Sequence, residues 1–181
     1  LVLLAWEGGN LPGVHEMVQR FFDRFPLSSL ADDVRQHQGR ALLKERDFAT
    51  AARLFERLLE MDVASGKAPH SAEHKNASHQ STNRYYLAIA YLGAGRPADV
   101  LRVLPAMEVD GHDVAALNDG LRVARASALM ALGRYEQAID PLRAYVATHP
   151  RGADSVDFHA KLIVALGETG QWCAAAESFD W

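Results

Sequence analysis

A short turn segment recurs along this chain at a nearly constant spacing. Each copy follows one apolar stretch and precedes another, at Gly9-Asn10-Leu11, Arg46-Asp47-Phe48, Gly95-Arg96-Pro97, Gly133-Arg134-Tyr135 and Gly170-Gln171-Trp172. Successive copies begin 37, 49, 38 and 37 residues apart. A period of this length is typical of arrays of helical hairpins, in which each hairpin buries its apolar face against its neighbours. The spacing therefore predicts an all-α repeat architecture.

The segment around Gly133 shows how one hairpin is encoded. Apolar residues at helical spacing predict a first helix over Leu121–Leu132. Gly133 ends this helix, because glycine adopts positive φ without a Cβ clash. A second helix is expected from Tyr135 to about Thr148, and the proline that follows prevents its continuation.

Other positions repeat in phase with the turns. A small or branched residue lies three positions into each second helix, at Val14, Ala51, Val100, Ala138 and Ala175. A bulkier residue follows four positions later, at Val18, Phe55, Leu104, Leu142 and Phe179. The first helices carry a small residue at Gly39, Ala88 and Ala126. This pattern resembles the tetratricopeptide repeat (TPR). The resemblance implies an all-α, right-handed α–α superhelix (solenoid) of about five TPR-like hairpins, the first and last incomplete.

The phase also predicts how the chain is organised. We expect one repeat domain over residues 1–181, with approximate hairpin units at 1–29, 30–64, 82–112, 117–150 and 155–181. The longer step of 49 residues indicates a polar insertion at about 65–81, which forms either a surface loop or a loop plus an extra helical turn. Both ends cut through repeats, so we expect a segment of a longer protein. Phe179 and Trp181 would then be exposed and favour self-association.

The linker after the first hairpin carries a second resemblance. The string Phe25-Pro26-Leu27-Ser28-Ser29-Leu30-Ala31-Asp32 is similar to linkers in bacterial envelope TPR proteins. These include outer-membrane assembly lipoproteins and the Tol-Pal-associated periplasmic coordinator. The resemblance implies a periplasmic or outer-membrane-associated location, with the cytoplasm as the alternative. Ser28 or Ser29 is also placed to cap the next helix.

Composition and motifs favour a protein without catalytic activity. The net charge of −4 gives no basic field for nucleic acid, and no apolar run is long enough to insert in a membrane. Motifs for phosphate binding, serine hydrolysis and zinc proteolysis are missing. We therefore predict no enzyme activity, no catalytic residue and no cofactor.

The histidines of the insertion and the single cysteine are two further candidate sites. His70, His74 and His79 lie in the insertion, and the first two have the spacing of a helical metal pair. No cysteine or fixed carboxylate completes a site, so we predict a solvated polar segment and no metal. The single cysteine, Cys173, is expected to be a small packed side chain beside Ala174.

The concave groove is the remaining candidate site. In TPR proteins the first helices of successive repeats line this groove, and the phase carries those positions onto Gln36, Arg40, Leu43, Lys44, Tyr85, Ile89, Leu92, Val123, Ser127 and Met130. Together they predict an apolar strip with a basic edge, which suits an extended or helical peptide. Alternatively, these residues pack against the insertion or a neighbouring helix. The Lys and Asn positions that clamp a C-terminal carboxylate in some TPR proteins are not matched here.

The resemblance implies a non-catalytic scaffold that binds a protein or peptide partner on its concave face. Bacterial cell-envelope assembly is the setting that the linker string implies. The alternative is a regulatory or supporting TPR module of a larger enzyme or transcription regulator.

Overall fold

The computed structural model describes residues 11–64, 73–104, 115–149 and 155–178, which form helices joined by turns. In chain order the helices are α1 (Leu11–Arg24), α2 (Ala31–Lys44), α3 (Phe48–Ala64), α4 (Glu73–Gly93), α5 (Pro97–Val103), α6 (Ala115–Ala131), α7 (Tyr135–Thr148), α8 (Ser155–Glu168) and α9 (Trp172–Glu177). The chain divides into two compact units, an N-terminal unit over Leu1–Ala94 and a C-terminal unit over Gly95–Trp181. The predicted all-α composition is confirmed. The single repeat domain and its hairpin boundaries stay predictions.

The recurring turn is confirmed at four places by its backbone conformation. Arg46, Gly95, Gly133 and Gly170 have positive φ values of 64°, 69°, 68° and 74°. Gly9 and Asn10, from the first predicted turn, lie outside the described residues. Positive φ at the residue after a helix lets the chain reverse while it still bonds to the last carbonyls of that helix.

In three of these turns the hydrogen bonds are those of a Schellman motif. After α2, the Asp47 N–H donates to the Leu42 carbonyl at 2.9 Å and the Arg46 N–H to the Leu43 carbonyl at 3.1 Å. The same pair of bonds follows α6 and α8. These bonds satisfy carbonyls that would otherwise lack a partner at the helix end. At Arg46 the motif carries a cost, because a left-handed conformation is about 1–2 kcal/mol less favourable for a residue with a Cβ.

Burial confirms the phase of the repeats. All in-phase positions of the second helices that lie in the described residues are buried, namely Val14, Val18, Ala51, Phe55, Val100, Leu104, Ala138, Leu142 and Ala175. Gly39, Ala88 and Ala126 on the first helices are buried as well. Small residues at these crossings let paired helices approach closely, and the bulkier residues fill the space between hairpins.

In the N-terminal unit the core centres on Phe55, whose side chain is fully buried on α3. A Cβ added at Gly39 on α2 would lie 2.4 Å from Cζ of Phe55, so only glycine fits beneath the ring. On the other side, the ring of Tyr86 from α4 stacks on Phe55 with centroids 5.5 Å apart. Phe55 therefore joins α2, α3 and α4.

In the C-terminal unit one apolar cluster joins α6 to α9. Its buried members are Ala126, Leu129, Ala138, Ile139, Leu142, Phe158, Leu162, Ala165, Leu166 and Ala175. Tyr135 and Tyr145 are partly buried and pack against this cluster. The Tyr145 ring lies 4.4 Å from that of Phe158, centroid to centroid, and so links α7 to α8.

The predicted insertion at about 65–81 is partly helical. α4 begins at Glu73 and runs for 21 residues, whereas α2 has 14. Residues 73–81 therefore extend a first helix at its N-terminal end, which matches the second of the two forms expected for the insertion. Ser81 is already buried, so the extension joins the packed part of the unit.

Two local predictions are wrong. Ser28 does not cap α2, which begins after Leu30 without a side-chain cap; the Ser28 hydroxyl instead accepts from the Leu30 N–H at 3.2 Å, within the linker turn. Cys173 is exposed on α9, not packed. On this short helix Ala175 is the buried position, and two residues along a helix turn a side chain by about 200°.

Candidate partner-binding surface

The ten predicted groove residues divide between the two units. Seven belong to the N-terminal unit, on α2 and α4, and these two helices are in contact. The other three, Val123, Ser127 and Met130, lie on α6 of the C-terminal unit. Each of the ten is at least partly accessible to solvent, and Lys44 is exposed. The structure thus brings the first seven together, and a continuous strip of all ten stays a prediction.

Polar and aromatic contacts cross between α2 and α4. The Gln36 side-chain amide donates to Oδ1 of Asn83 at 3.0 Å, and Asn83 is buried. Cζ of Arg40 lies 5.6 Å from the centroid of the Tyr86 ring, a distance at which a cation is attracted to the ring face. These contacts fix two of the predicted groove residues in defined positions.

Burial changes the acid–base behaviour of two side chains on these helices. Burial raises the pKa of the Tyr85 hydroxyl, and the neighbouring Tyr86 raises it further, so Tyr85 stays a neutral hydrogen-bonding group. Burial lowers the pKa of His37 on α2, and the Arg40 charge lowers it further, while Asp33 acts in the opposite sense. On α2, burial and the nearby Arg40 charge therefore favour the neutral form of His37.

Cationic side chains concentrate at the C-terminal end of α2. Arg40 and Lys44 are one turn apart on the helix, and Arg46 follows in the exposed turn. We call these three residues the basic edge. From its sequence position, Arg46 is expected only as a turn residue. One sequence feature does single out Arg46 as a candidate site residue: the other described turns have a glycine at this position, namely Gly95, Gly133 and Gly170.

The acidic residues interleaved with the basic edge have partners of their own. Oε2 of Glu45 lies 2.9 Å from Nε2 of His15 on α1. Oδ1 of Asp47 accepts from the Thr50 backbone N–H at 3.1 Å, at the start of α3. Hydrogen bonds from Thr50 lower the pKa of Asp47, so that this carboxylate is charged at neutral pH. Both acids therefore have structural contacts away from α2.

The three predicted groove positions of the C-terminal unit carry no charge. Val123 and Met130 pack against the core cluster of that unit, which fits the alternative that these positions serve packing. Advancing Val123 and Ser127 by one period of 37 residues reaches Ala160 and Val164 on α8, both of which are exposed. Sequence reasoning missed these two residues, although the phase used for the earlier repeats already indicated them.

The histidines of the predicted insertion do not assemble within the described residues. His70 lies outside them, and His74 lies on α4 without a described side chain. Nδ1 of His79 is 3.8 Å from Oδ1 of Asp33 on α2. Across 11–64, 73–104, 115–149 and 155–178, three or more histidine, cysteine or acidic side chains are nowhere arranged to hold a metal. Over the same ranges, the helices lack the length and apolar character needed to cross a membrane.

These features define a class: an all-α protein of TPR-like hairpins with small residues at the helix crossings. The fold matches a point mutant of MamA with a TM-score of 0.68 and 18% identity, over 98% of this chain and 89% of that chain. It also matches a putative kinesin light chain from Podospora anserina with nearly identical TPR-like repeats, with a TM-score of 0.68 and 16% identity, over 99% of this chain and 88% of that chain.

These comparisons confirm the predicted fold of TPR-like helical repeats, and at such identities they establish the fold alone. At the level of sequence, neither a family profile nor a curated protein matches the chain. The resemblance of the linker to bacterial envelope proteins stays a prediction.

Proposed function

We propose that this protein is a non-catalytic scaffold that binds a peptide or protein partner on the face shared by α2 and α4. The observation that carries this proposal is that Tyr85, Ile89 and Leu92 remain partly accessible on α4, the helix whose Asn83 accepts a hydrogen bond from Gln36 of α2. An accessible apolar strip with a few placed polar groups is the composition that peptide grooves use. The TPR-like fold supports this proposal, since repeat arrays present extended surfaces for partners.

The amide pair supports an extended peptide in particular. Gln36 and Asn83 share one hydrogen bond, and a primary amide has two N–H donors and a carbonyl acceptor. The remaining hydrogen-bonding capacity of Gln36, which is partly accessible, suits a peptide backbone, which carries one donor and one acceptor at nearly every residue. The contact between the two amides also holds them in place before a partner arrives, which lowers the entropic cost of binding.

The same proposal includes bacterial cell-envelope assembly as the setting. It is supported by the linker string from Phe25 to Asp32 and by the way that string is displayed. Leu27 is 98% exposed and Phe25 is 51% exposed, so core packing does not explain these apolar residues. Fractionation of cells into cytoplasm, periplasm and membranes tests this part, and recovery in the cytoplasm alone would contradict it.

A cross-linking capture experiment tests the binding surface. Wild-type protein is compared with the double variant Ile89→Glu, Leu92→Glu, in lysate of the organism that encodes it, and cross-linked peptides are mapped by mass spectrometry. The matched control is Leu30→Glu, Met61→Glu, which places the same charges at exposed apolar positions outside the strip. A milder variant, Ile89→Ala, Leu92→Ala, covers the case in which buried glutamates unfold the helix, and circular dichroism verifies folding.

We expect wild type and control to cross-link one partner through α2 and α4, and both groove variants to lose it. Equal capture by a folded groove variant, with cross-links on other helices, would overturn the proposed surface. Catalytic turnover of a captured partner would overturn the non-catalytic role.

A further inference from the structure

The turn after α2 keeps a residue that its backbone disfavours. Arg46 has a φ of 64°, whereas three glycines supply the same conformation at Gly95, Gly133 and Gly170. A Cβ at each of these glycines would meet no atom within 4 Å, so the turn itself has no need of a side chain for packing. Arg46 is exposed. Compared with glycine, arginine at this position therefore adds an exposed guanidinium, and it does so at the cost of a strained backbone.

Helix electrostatics do not account for Arg46. A cation in the last turn of a helix interacts favourably with the helix dipole, and Lys44 occupies that place in α2. Arg46 lies beyond the last helical residue, where the other described turns have a neutral glycine. The two acids beside it, Glu45 and Asp47, already contact His15 and Thr50. The exposed guanidinium of Arg46 is therefore accessible to a charged group on a partner.

We propose that the basic edge selects a partner segment in which acidic and apolar residues alternate. The proposal rests on the proposed function, because it describes the ligand of that same surface. Arginine and lysine along α2 would bind the carboxylates, and the strip on α4 would bind the apolar side chains. Arginine suits this role because its planar guanidinium can hold a carboxylate through two parallel hydrogen bonds.

The spacing of the two helices' side chains supports an alternating segment. Arg40 and Lys44 are four residues apart on α2, about 6 Å along the helix axis. Tyr85 and Ile89 have the same separation on α4. In an extended peptide, residues two apart point the same way and are about 6.6 Å apart, while the residues between them point to the opposite side. A peptide lying between the helices thus directs acids to α2 and apolar groups to α4.

A random library of 12-residue peptides displayed on phage tests the proposal without assuming a partner. Four proteins are used, each checked for folding by circular dichroism: wild type, the charge variant Lys44→Gln, Arg46→Gly, the groove variant Ile89→Ala, Leu92→Ala, and the control Arg57→Gln. Arg57 is an exposed arginine on α3, so the control removes a charge from the same unit away from the surface. Because glycine relieves the strained turn, the charge variant is expected to fold at least as well as wild type.

We expect wild type and control to enrich peptides with alternating acidic and apolar residues, and the charge variant to lose the acidic preference. The best peptide, synthesised and labelled, should bind the charge variant about 2- to 30-fold more weakly, as for loss of two exposed ion pairs. Its version with glutamine at the acidic positions should bind wild type and charge variant equally.

The outcomes separate this inference from the function on which it rests. Peptides that need the groove but show no acidic preference would overturn the charge selection and leave the binding surface standing. Acidic peptides that bind the charge variant as tightly as wild type would also overturn it. If no enriched peptide depends on Ile89 and Leu92, both the peptide-binding surface and this inference fail.

Discussion

The two units use the same hairpin but place different chemistry on corresponding first helices. In the N-terminal unit, Gln36 bonds to Asn83 and Arg40 lies over the Tyr86 ring. In the C-terminal unit, Val123 and Ser127 occupy the positions that correspond to Gln36 and Arg40, and Val123 packs against the apolar core. The in-phase small residues are buried in both units. The comparison shows that the buried positions that repeat in phase specify the hairpin. The other positions of the first helices can differ between units and are available for recognition.

The turns differ in the same way. Arg46 in the N-terminal unit and Gly133 in the C-terminal unit adopt nearly the same φ and close with the same pair of hydrogen bonds. One turn is therefore built at a conformational cost and the other without it. Substitutions made in each unit separately can measure how much each of these sequence differences contributes to the free energy of unfolding.

The largest expected effect is in the N-terminal core. Phe55→Ala should lower the free energy of unfolding by about 3–5 kcal/mol, because it empties the space between Gly39 and Tyr86. Guanidinium denaturation measures this loss, and hydrogen exchange shows where protection is lost. The control is Phe25→Ala, the same truncation at an exposed ring. If both variants have wild-type stability, Phe55 is not the residue that joins α2, α3 and α4.

A smaller loss is expected when the C-terminal hairpin is overpacked. Ala138→Trp should destabilise by about 1–3 kcal/mol or more, since Ala138 is fully buried where α6 and α7 meet. Ala147→Trp, on an exposed position of α7, is the control. A melting temperature for Ala138→Trp equal to that of wild type would reject the phase assigned to this hairpin.

Exchanging the turn residues should shift stability in opposite directions. Arg46→Gly is expected to stabilise by about 1 kcal/mol, and Gly133→Arg to destabilise by about 1–2 kcal/mol, because only the Cβ-bearing residue is disfavoured at positive φ. Thermal unfolding of the two variants and of the double variant measures both effects. Stabilisation by Gly133→Arg would show that the backbone conformation does not determine the cost.

The smallest effect concerns pH in the N-terminal unit. The pKa of His37 is lowered in the fold, so the unfolded chain binds a proton more readily than the folded chain. The stability that neutral His37 contributes is therefore complete above about pH 6.5 and declines as the pH falls towards the folded-state pKa. NMR titration of the His37 ring should give a midpoint below 6.5. The variant His37→Gln should show a shallower loss of stability between pH 7 and 5, and a His37 midpoint above 6.5 would contradict the prediction.

Much of the fold follows from the sequence because the signal is local and repeated. Tyr135–Thr148 is predicted and observed with the same bounds, since Gly133 and Pro150 mark its ends. α6 instead begins at Ala115, ahead of the predicted Leu121, because no residue before it signals a helix start. The length of α4 could not be predicted either, because a polar segment such as the insertion can form a loop or a solvated extension of a helix. Periodicity alone does not distinguish the two.

The candidate site was less predictable. The phase locates groove positions, but it does not show which of them contact each other. The bond between Gln36 and Asn83 depends on the packing of α2 against α4, and the latter residue was not among the predicted groove residues. The unusual backbone of Arg46, on which its proposed role rests, was hidden because a positive φ at an arginine is recognised only once the backbone is known.

The Schellman turns also bear on how the chain reaches its folded state. The hydrogen bonds that close the turns after α2, α6 and α8 join residues no more than five positions apart in sequence. Contacts between near neighbours form quickly, because little chain entropy is lost when a short loop closes. Each such hairpin can therefore close soon after its residues leave the ribosome, before the rest of the array has been synthesised. The order of synthesis thereby becomes a natural order of assembly, from the N-terminal hairpins onward.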